Sequence, residues 1–289
     1  QVRCYSGMAE LAPAYDGFVL DLWGVIHDGI ELYPGVVECL HKLAQAGKPF
    51  VMLSNAPRRA AAIARSMAAM GMPEEYCRDI VSSGEATHLC LANRSDPWLR
   101  ALGRKYLHLG PARDENLFEG LGLEKVDEVG QATFIVNTGP WRDDEQVSDY
   151  EARLAAGAAR GLGMVCANPD LEVIRGGNRI ICAGALALRY EELGGAVRYL
   201  GKPRPDIYQA CFAKLGVADR GRILAVGDSL RTDIAGALAA GIDSVLVAGG
   251  LHRDEFGIGD EGHLDAAQIT AACAREGHLP DAAIAAFIW

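Results

Sequence analysis

Ile223-Leu224-Ala225-Val226-Gly227-Asp228-Ser229-Leu230-Arg231-Thr232-Asp233-Ile234 is the stretch on which the reading of the fold turns. Four apolar residues run into Gly227-Asp228-Ser229. So short a run, stopped by turn formers, predicts a buried strand with a polar segment at its carboxyl end. The pattern recurs along the chain. Phe18-Val19-Leu20 ends at Asp21, Phe50-Val51-Met52-Leu53 at Ser54-Asn55, Val197-Arg198-Tyr199-Leu200 at Gly201-Lys202-Pro203, and Val245-Leu246-Val247 at Ala248-Gly249-Gly250. Ile80-Val81 adds a shorter run. Helical patterns separate them: Pro34 opens one with Val36, Leu40 and Leu43 on its apolar face, and another with Ile63, Met67 and Met70 follows Pro57. Strands alternating with helices predict βαβ units and a mostly parallel sheet, with ligands at the carboxyl ends of the strands.

Composition narrows the classes. The chain has 289 residues, 50% hydrophobic and 23% charged, which suits one large or two modest globular domains and excludes collagen-like or disordered chains. A net charge of −10 argues against nucleic acid or an anionic membrane as main partner, yet leaves room for a small anion in one positive pocket. Eight scattered cysteines without a C-x-x-C pair predict reduced core thiols. With no basic leader and no long apolar run, the expectation is a cytoplasmic protein without a membrane span.

The middle of the chain repeats the alternation, with strands at Lys105–Leu109, Phe134–Val136 and Met164–Cys166 and a helix over Asp143–Ala159. Periodicity alone allows either an extension of the first sheet or an inserted domain. The apolar ending Phe287-Ile288-Trp289 predicts a docked terminus.

A parallel sheet would gather Asp21, Ser54-Asn55, Lys202 and Asp228 through Asp233 at one edge. Asp21 is then a carboxylate nucleophile, and Asp228 joins it around a hard cation such as Mg²⁺. Ser54 and Lys202 hold phosphate oxygens. Each signal alone describes a cap, a turn or a solvated lysine; their conjunction in order carries the reading.

That conjunction resembles the haloacid dehalogenase superfamily of phosphatases. The wider phrases Gly24-Val25-Ile26-His27-Asp28-Gly29, Ala167-Asn168-Pro169-Asp170 and Gly201-Lys202-Pro203-Arg204-Pro205 are similar to its class IIA branch, NagD-like and nitrophenylphosphatase-like proteins. The resemblance implies a Rossmann-like parallel-sheet core of residues 1–83 and 196–289, with an inserted α/β cap of residues 84–195. It implies that Asp21 forms an aspartyl-phosphate. Asp21, the Trp23 backbone carbonyl and Asp228 would bind Mg²⁺, with Asp233 supporting that site at one remove. Ser54, Asn55 and Lys202 would face the phosphoryl group of a small phosphorylated metabolite, Lys202 also steadying Asp21. Members of the class form cap-to-cap dimers, which leaves a homodimer open.

One position departs from the pattern. The aspartate that protonates the leaving oxygen in this family is Trp23 here, and an indole N–H shuttles no proton near neutral pH. His27 and Asp28 are the nearest substitutes in sequence. The competing readings are a phosphatase for esters with good leaving groups and a phospholigand-binding protein with little turnover. A metal-independent dehalogenase ranks below both, because Asp228 and Asp233 are useful only around a cation. Arg58, Arg59 and Arg231 are further candidates for contacting a substrate anion, and Arg175-Gly176-Gly177 for a ligand-facing loop. Asn168-Pro169-Asp170 is expected to shape the cap–core junction. The remaining histidines form no ligand-like spacing.

Overall fold

The computed structural model of the chain describes residues 1–258 and 263–289. Its strands are β1 (Arg3–Cys4), β2 (Gly17–Leu20), β3 (Phe50–Ser54), β4 (Ile80–Ser82), β5 (Lys105–Leu109), β6 (Glu124–Val126), β7 (Phe134–Asn137), β8 (Gly163–Cys166), β9 (Glu172–Arg175), β10 (Asn178–Ile181), β11 (Ala196–Tyr199), β12 (Ile223–Gly227), β13 (Asp243–Val247) and β14 (Ala282–Ile284). Seven form a sheet in the order β1-β14-β13-β12-β2-β3-β4, parallel throughout. Five form a second parallel sheet, β11-β8-β7-β5-β6, and β9 with β10 makes an antiparallel hairpin apart from both.

Why these runs make central strands follows from what covers them. Phe18, Leu20 and Met52 pack on one face with Leu40, Leu43, Ile63 and Met67 of the helices Val36–Gln45 and Ala60–Ala69. Val19, Val51 and Leu53 pack on the other with Ile207, Cys211, Phe212 and Leu215 of the helix Pro205–Leu215. A strand buried on both faces must be apolar at every position, so it reads as a continuous run rather than an alternation. The second sheet is likewise covered on both faces. The architecture is the expected Rossmann-like core with an inserted α/β unit.

Two local expectations are corrected and two edge strands are added. Val197–Leu200 reads as a core strand, with a boundary at 196, but β11 pairs with β8 in the second sheet. Val197 and Tyr199 pack into that unit's core, while Arg198 bonds Asp96 at 2.8 Å and lies over the Trp98 ring. An apolar run marks a strand but not its sheet. The helix expected over Asp143–Ala159 starts later, as a 3₁₀ turn at Val147–Tyr150 followed by α-helix Glu151–Ala159. Glu145 and Asp149 side chains capture the Arg142 and Gln146 amides and hold the preceding residues in a turn. Finally, β1 and β14 extend the core sheet at an edge, where two or three residues give no periodic signal.

The chain end is docked, with Phe287 buried and the Met8 amide donating to the Ile288 carbonyl at 2.7 Å. All eight cysteines are unpaired thiols. Among the described residues no helix is long and apolar enough to cross a membrane.

Candidate active site

Asp21 follows β2 and Asp228 follows β12, and because those strands are parallel neighbours in the core sheet, both carboxylates leave the same edge. The Asp21 amide donates to the Val226 carbonyl at 2.9 Å, which fixes the relative register of the two turns. Asp21, Asp228 and Asp233 are all buried, and each offers an oxygen within 4.8 Å of the others. Two glycines make this approach possible. A Cβ on Gly24, whose φ is +75°, would lie 1.7 Å from Asp228 Oδ2, and one on Gly227 would lie 2.2 Å from Asp233 Cβ. Leu230–Ile234 form a widened π turn, and it brings Asp233 back so that its Oδ2 accepts from the Ser229 amide at 3.1 Å.

Lys202 enters this cluster from outside the core strands. It lies on the return from β11, and its Nζ is 2.6 Å from both Asp21 Oδ1 and Asp233 Oδ1. Nζ also donates to the Leu53 carbonyl at 3.2 Å. Asn55 holds the backbone that delivers it: Asn55 Oδ1 accepts from the Lys202 amide at 2.8 Å, and Nδ2 donates to the Lys202 carbonyl and to Asp170 Oδ1. The expectation that Asn55 faces the phosphoryl pocket is therefore corrected. Its amide is spent on the Lys202 turn and on Asp170. The Lys202–Pro203 peptide is cis.

Charge does not balance here. Burial, and then Asp233, push the Asp21 carboxyl well above the usual range, and burial with Asp21 does the same to Asp228. Against burial, which alone would lower it, Asp21, Asp233 and Asp170 hold the Lys202 ammonium well above its ordinary value. One ammonium therefore faces three carboxylates. Lys202 pairs with Asp21 and Asp233, while among the described residues Asp228 has only the Leu251 amide at 2.8 Å. Among the described residues Asp21 Oδ2 and Asp228 Oδ1 accept no hydrogen bond. An all-oxygen donor set with surplus negative charge fits a hard divalent cation. The Trp23 carbonyl takes no part in the local bridge to His27, which uses the Leu22 carbonyl and the Gly24 amide.

Ser54, at the end of β3, accepts from the Ala56 amide at 3.1 Å, which leaves its O–H free to donate. Trp23, His27 and Ser54 line one cavity of about 340 Å³, at the small end of the range for small-molecule sites. Neither suggested substitute acid suits the task. Asp28 Oδ1 caps its own turn by accepting from the Ile30 and Glu31 amides, both at 2.9 Å. His27 is buried, burial lowers its imidazole to about 4, and its Nδ1 accepts from the Gly29 amide. At pH 7 it is neutral and has no imidazolium proton to give.

The carboxyl ends of the second sheet face the same cavity. Asp114 follows β5, Thr138 follows β7, and Asn168 and Asp170 follow β8; all four line it. The strand-end rule applied to this sheet would have flagged Asp114 and Thr138, which the sequence reading missed. Of the three candidate arginines, Arg58 lines the cavity. Arg59 instead forms a two-pronged pair with Glu85 at 2.7 and 3.0 Å, and Arg231 donates to the Pro169 carbonyl at 2.9 Å. Asn168 Oδ1 accepts from the Asp170 amide, a turn at the junction of the two units. Arg175 lines the cavity and bonds Asp143 at 2.8 Å.

A family model described as haloacid dehalogenase-like hydrolase matches residues 18–124, and a second, HAD-hydrolase-like, matches residues 199–269. The matched segments carry Asp21, Ser54, Lys202, Asp228 and Asp233. The crystal structure of a haloacid dehalogenase-like hydrolase from Brucella suis 1330 superposes with a TM-score of 0.83 and 32% identity, covering 98% of this chain and all of that one. This chain belongs to the haloacid dehalogenase-like hydrolases. Within that family it is similar to the ribonucleotide monophosphatase NagD of Escherichia coli K12, 28% identical over 81% of this chain and 87% of that protein. It is also similar to the glycerol phosphate phosphatase of Mycobacterium tuberculosis solved in complex with calcium, with 25% identity and a TM-score of 0.62 over 84% of this chain and 68% of that one.

Proposed function

We propose that this hydrolase is a Mg²⁺-dependent phosphatase that cleaves a small phosphate monoester through an aspartyl-phosphate on Asp21. The observation that carries the reading is the buried triad of Asp21, Asp228 and Asp233 with a single lysine between two of them. The phosphatases among its relatives, and the calcium named with one of them, support it.

Asp21 Oδ1 is held by Lys202, which orients the carboxylate and leaves Oδ2 unencumbered for attack on phosphorus. Asp21, Asp228 and the Trp23 carbonyl would hold Mg²⁺, with Asp233 steadying the site through Lys202 and the Ser229 amide. When bound, the ion supplies positive charge against the carboxylates and the incoming phosphate. The Ser54 hydroxyl and Lys202 Nζ donate to the phosphoryl oxygens. As the Asp21–phosphorus bond forms, the bond to the leaving oxygen breaks; water then attacks phosphorus, releasing phosphate and restoring the carboxylate. The small cavity suits a metabolite-sized leaving group.

A second reading, phospholigand binding with little turnover, is favoured by one observation: Trp23, the capped Asp28 and the neutral His27 leave the loop after β2 without a proton donor. Steady-state hydrolysis of p-nitrophenyl phosphate, whose leaving group needs no proton, separates the two. Turnover with Mg²⁺ that vanishes in excess chelator is the expected result. Binding of the phosphate with background turnover in Mg²⁺ would favour the second reading.

A further inference from the structure

Asp114 is the one polar side chain of the cavity with a buried side-chain atom that finds no hydrogen-bond partner among the described residues. It is only 2% exposed. Its ion-pair neighbour Arg58 has Nε 3.8 Å from Oδ1, beyond hydrogen-bond reach, and among the described residues the Arg58 side chain makes only a long 3.4 Å hydrogen bond, to Ser66 Oγ. Neighbouring carboxylates are satisfied. Asp143 pairs with Arg175 at 2.8 Å and Arg113 at 3.7 Å, and Asp170 accepts from Asn55. Leaving a buried carboxylate oxygen without a donor is costly, and a site tolerates that cost where a ligand removes it.

The position suits such a ligand. The phosphoryl group belongs with Asp21, Ser54 and Lys202, and the cavity that Ser54 lines is lined also by Asp114 and Arg58. A leaving group bound there brings its substituents to an acceptor without a donor and a guanidinium with donors to spare. A hydroxyl meets both needs at once, giving its hydrogen to Asp114 and accepting from Arg58. Burial pushes the Asp114 carboxyl up to about 6, against the pull of Arg58 and Arg113, so it remains largely an acceptor at pH 7.

We propose that Asp114, with Arg58, selects the leaving group of the substrate, favouring phosphate monoesters that carry a free hydroxyl over their deoxy counterparts. This rests on the phosphatase reading of the Asp21 site. A polar site left unpaired rejects the analogue that lacks its partner far more strongly than an apolar pocket rejects a missing methylene.

The test compares glycerol 3-phosphate with propyl phosphate, and ribose 5-phosphate with pentyl phosphate, on the wild-type protein, Asp114→Ala and Asp114→Asn in saturating Mg²⁺. The readout is the ratio of kcat/KM within each pair. The expectation is a wild-type ratio of about tenfold or more for at least one pair, collapsing toward unity in Asp114→Ala. Asp114→Asn keeps the shape and one acceptor oxygen, so it folds where Ala fails and retains part of the ratio. A wild-type ratio near one for both pairs overturns the proposal. So does a ratio preserved in both variants while rates on both esters fall together, the signature of a merely structural carboxylate. If the wild-type protein turns over neither ester, the ratio is taken from dissociation constants instead, and the phosphatase reading stands or falls separately on p-nitrophenyl phosphate. Tighter binding of the hydroxyl-bearing ester, lost in Asp114→Ala, then supports the selection by Asp114, and equal binding overturns it.

Discussion

Lys202 and Asp21 form a buried ion pair, Nζ to Oδ1 at 2.6 Å, across 181 residues of sequence. Lys202 reaches Asp21 because the chain, after β11 in the second sheet, returns past Asn55, whose side chain holds the Lys202 amide and bonds Asp170. The pair thus joins the geometry of the nucleophile to the junction between the two units.

Removing that lysine strips Asp21 and Asp233 of the buried donor that they share. Lys202→Met should cost about 3–5 kcal/mol of stability in metal-free protein at neutral pH. Urea titration measures it, and Mg²⁺ should restore part of the loss. A variant as stable as the parent would contradict the electrostatic account.

The surplus of carboxylates also fixes a pH dependence. Burial and Asp233 push Asp21 up to about 8, and burial raises Asp228, whereas unfolded carboxylates titrate near 4. The folded state therefore keeps protons that the unfolded chain has released, and stability falls as pH rises toward 8. His27 and His108, lowered to about 4 by burial, act oppositely, but only below about 6.5 where the unfolded imidazole takes up a proton. Between pH 6.5 and 8 the carboxylates govern. Tm in chelator should drop across this window, and saturating Mg²⁺ should flatten the slope and raise Tm most at the alkaline end. Parallel slopes with and without Mg²⁺ would count against a cation among these carboxylates.

Trp23 predicts a leaving-group dependence. Its ring sits edge-on to His27 with centroids 5.1 Å apart, and a Cβ on Gly29 would lie 2.1 Å from Cη2, so the indole is seated against the loop. Without a proton donor there, aryl phosphates should be cleaved on the order of a hundredfold faster than alkyl phosphates, or more. Trp23→Asp should narrow that gap chiefly by helping alkyl esters, and His27→Ala should leave it unchanged. Equal rates on aryl and alkyl esters in the parent protein would place a proton donor elsewhere.

How far the sequence speaks for itself depends on what each residue's signal encodes. Asp21, Ser54, Asp228 and Asp233 are legible because each follows an apolar run in the core sheet, and parallel pairing carries such ends to one edge. Lys202 is legible as a residue but not by its route. Val197 and Tyr199 look alike to either sheet, and only tertiary packing assigns them to the second. Asn55 reads as a pocket residue by adjacency to Ser54, yet the direction of its amide depends on a backbone 147 residues away. The strand-end rule marks the position of Asp114, but its unpaired oxygen is a product of tertiary packing that no local pattern encodes.

The central claim is the covalent step on Asp21. Wild-type protein is mixed with p-nitrophenyl phosphate and Mg²⁺, quenched in acid during turnover, and its peptides are weighed by mass spectrometry, with Asp21→Asn treated identically. The account predicts one phosphoryl group on the peptide that contains Asp21 in the wild-type protein, and neither that adduct nor turnover in a folded Asp21→Asn. Sustained hydrolysis by Asp21→Asn, with no phosphorylated peptide in either protein, would contradict it.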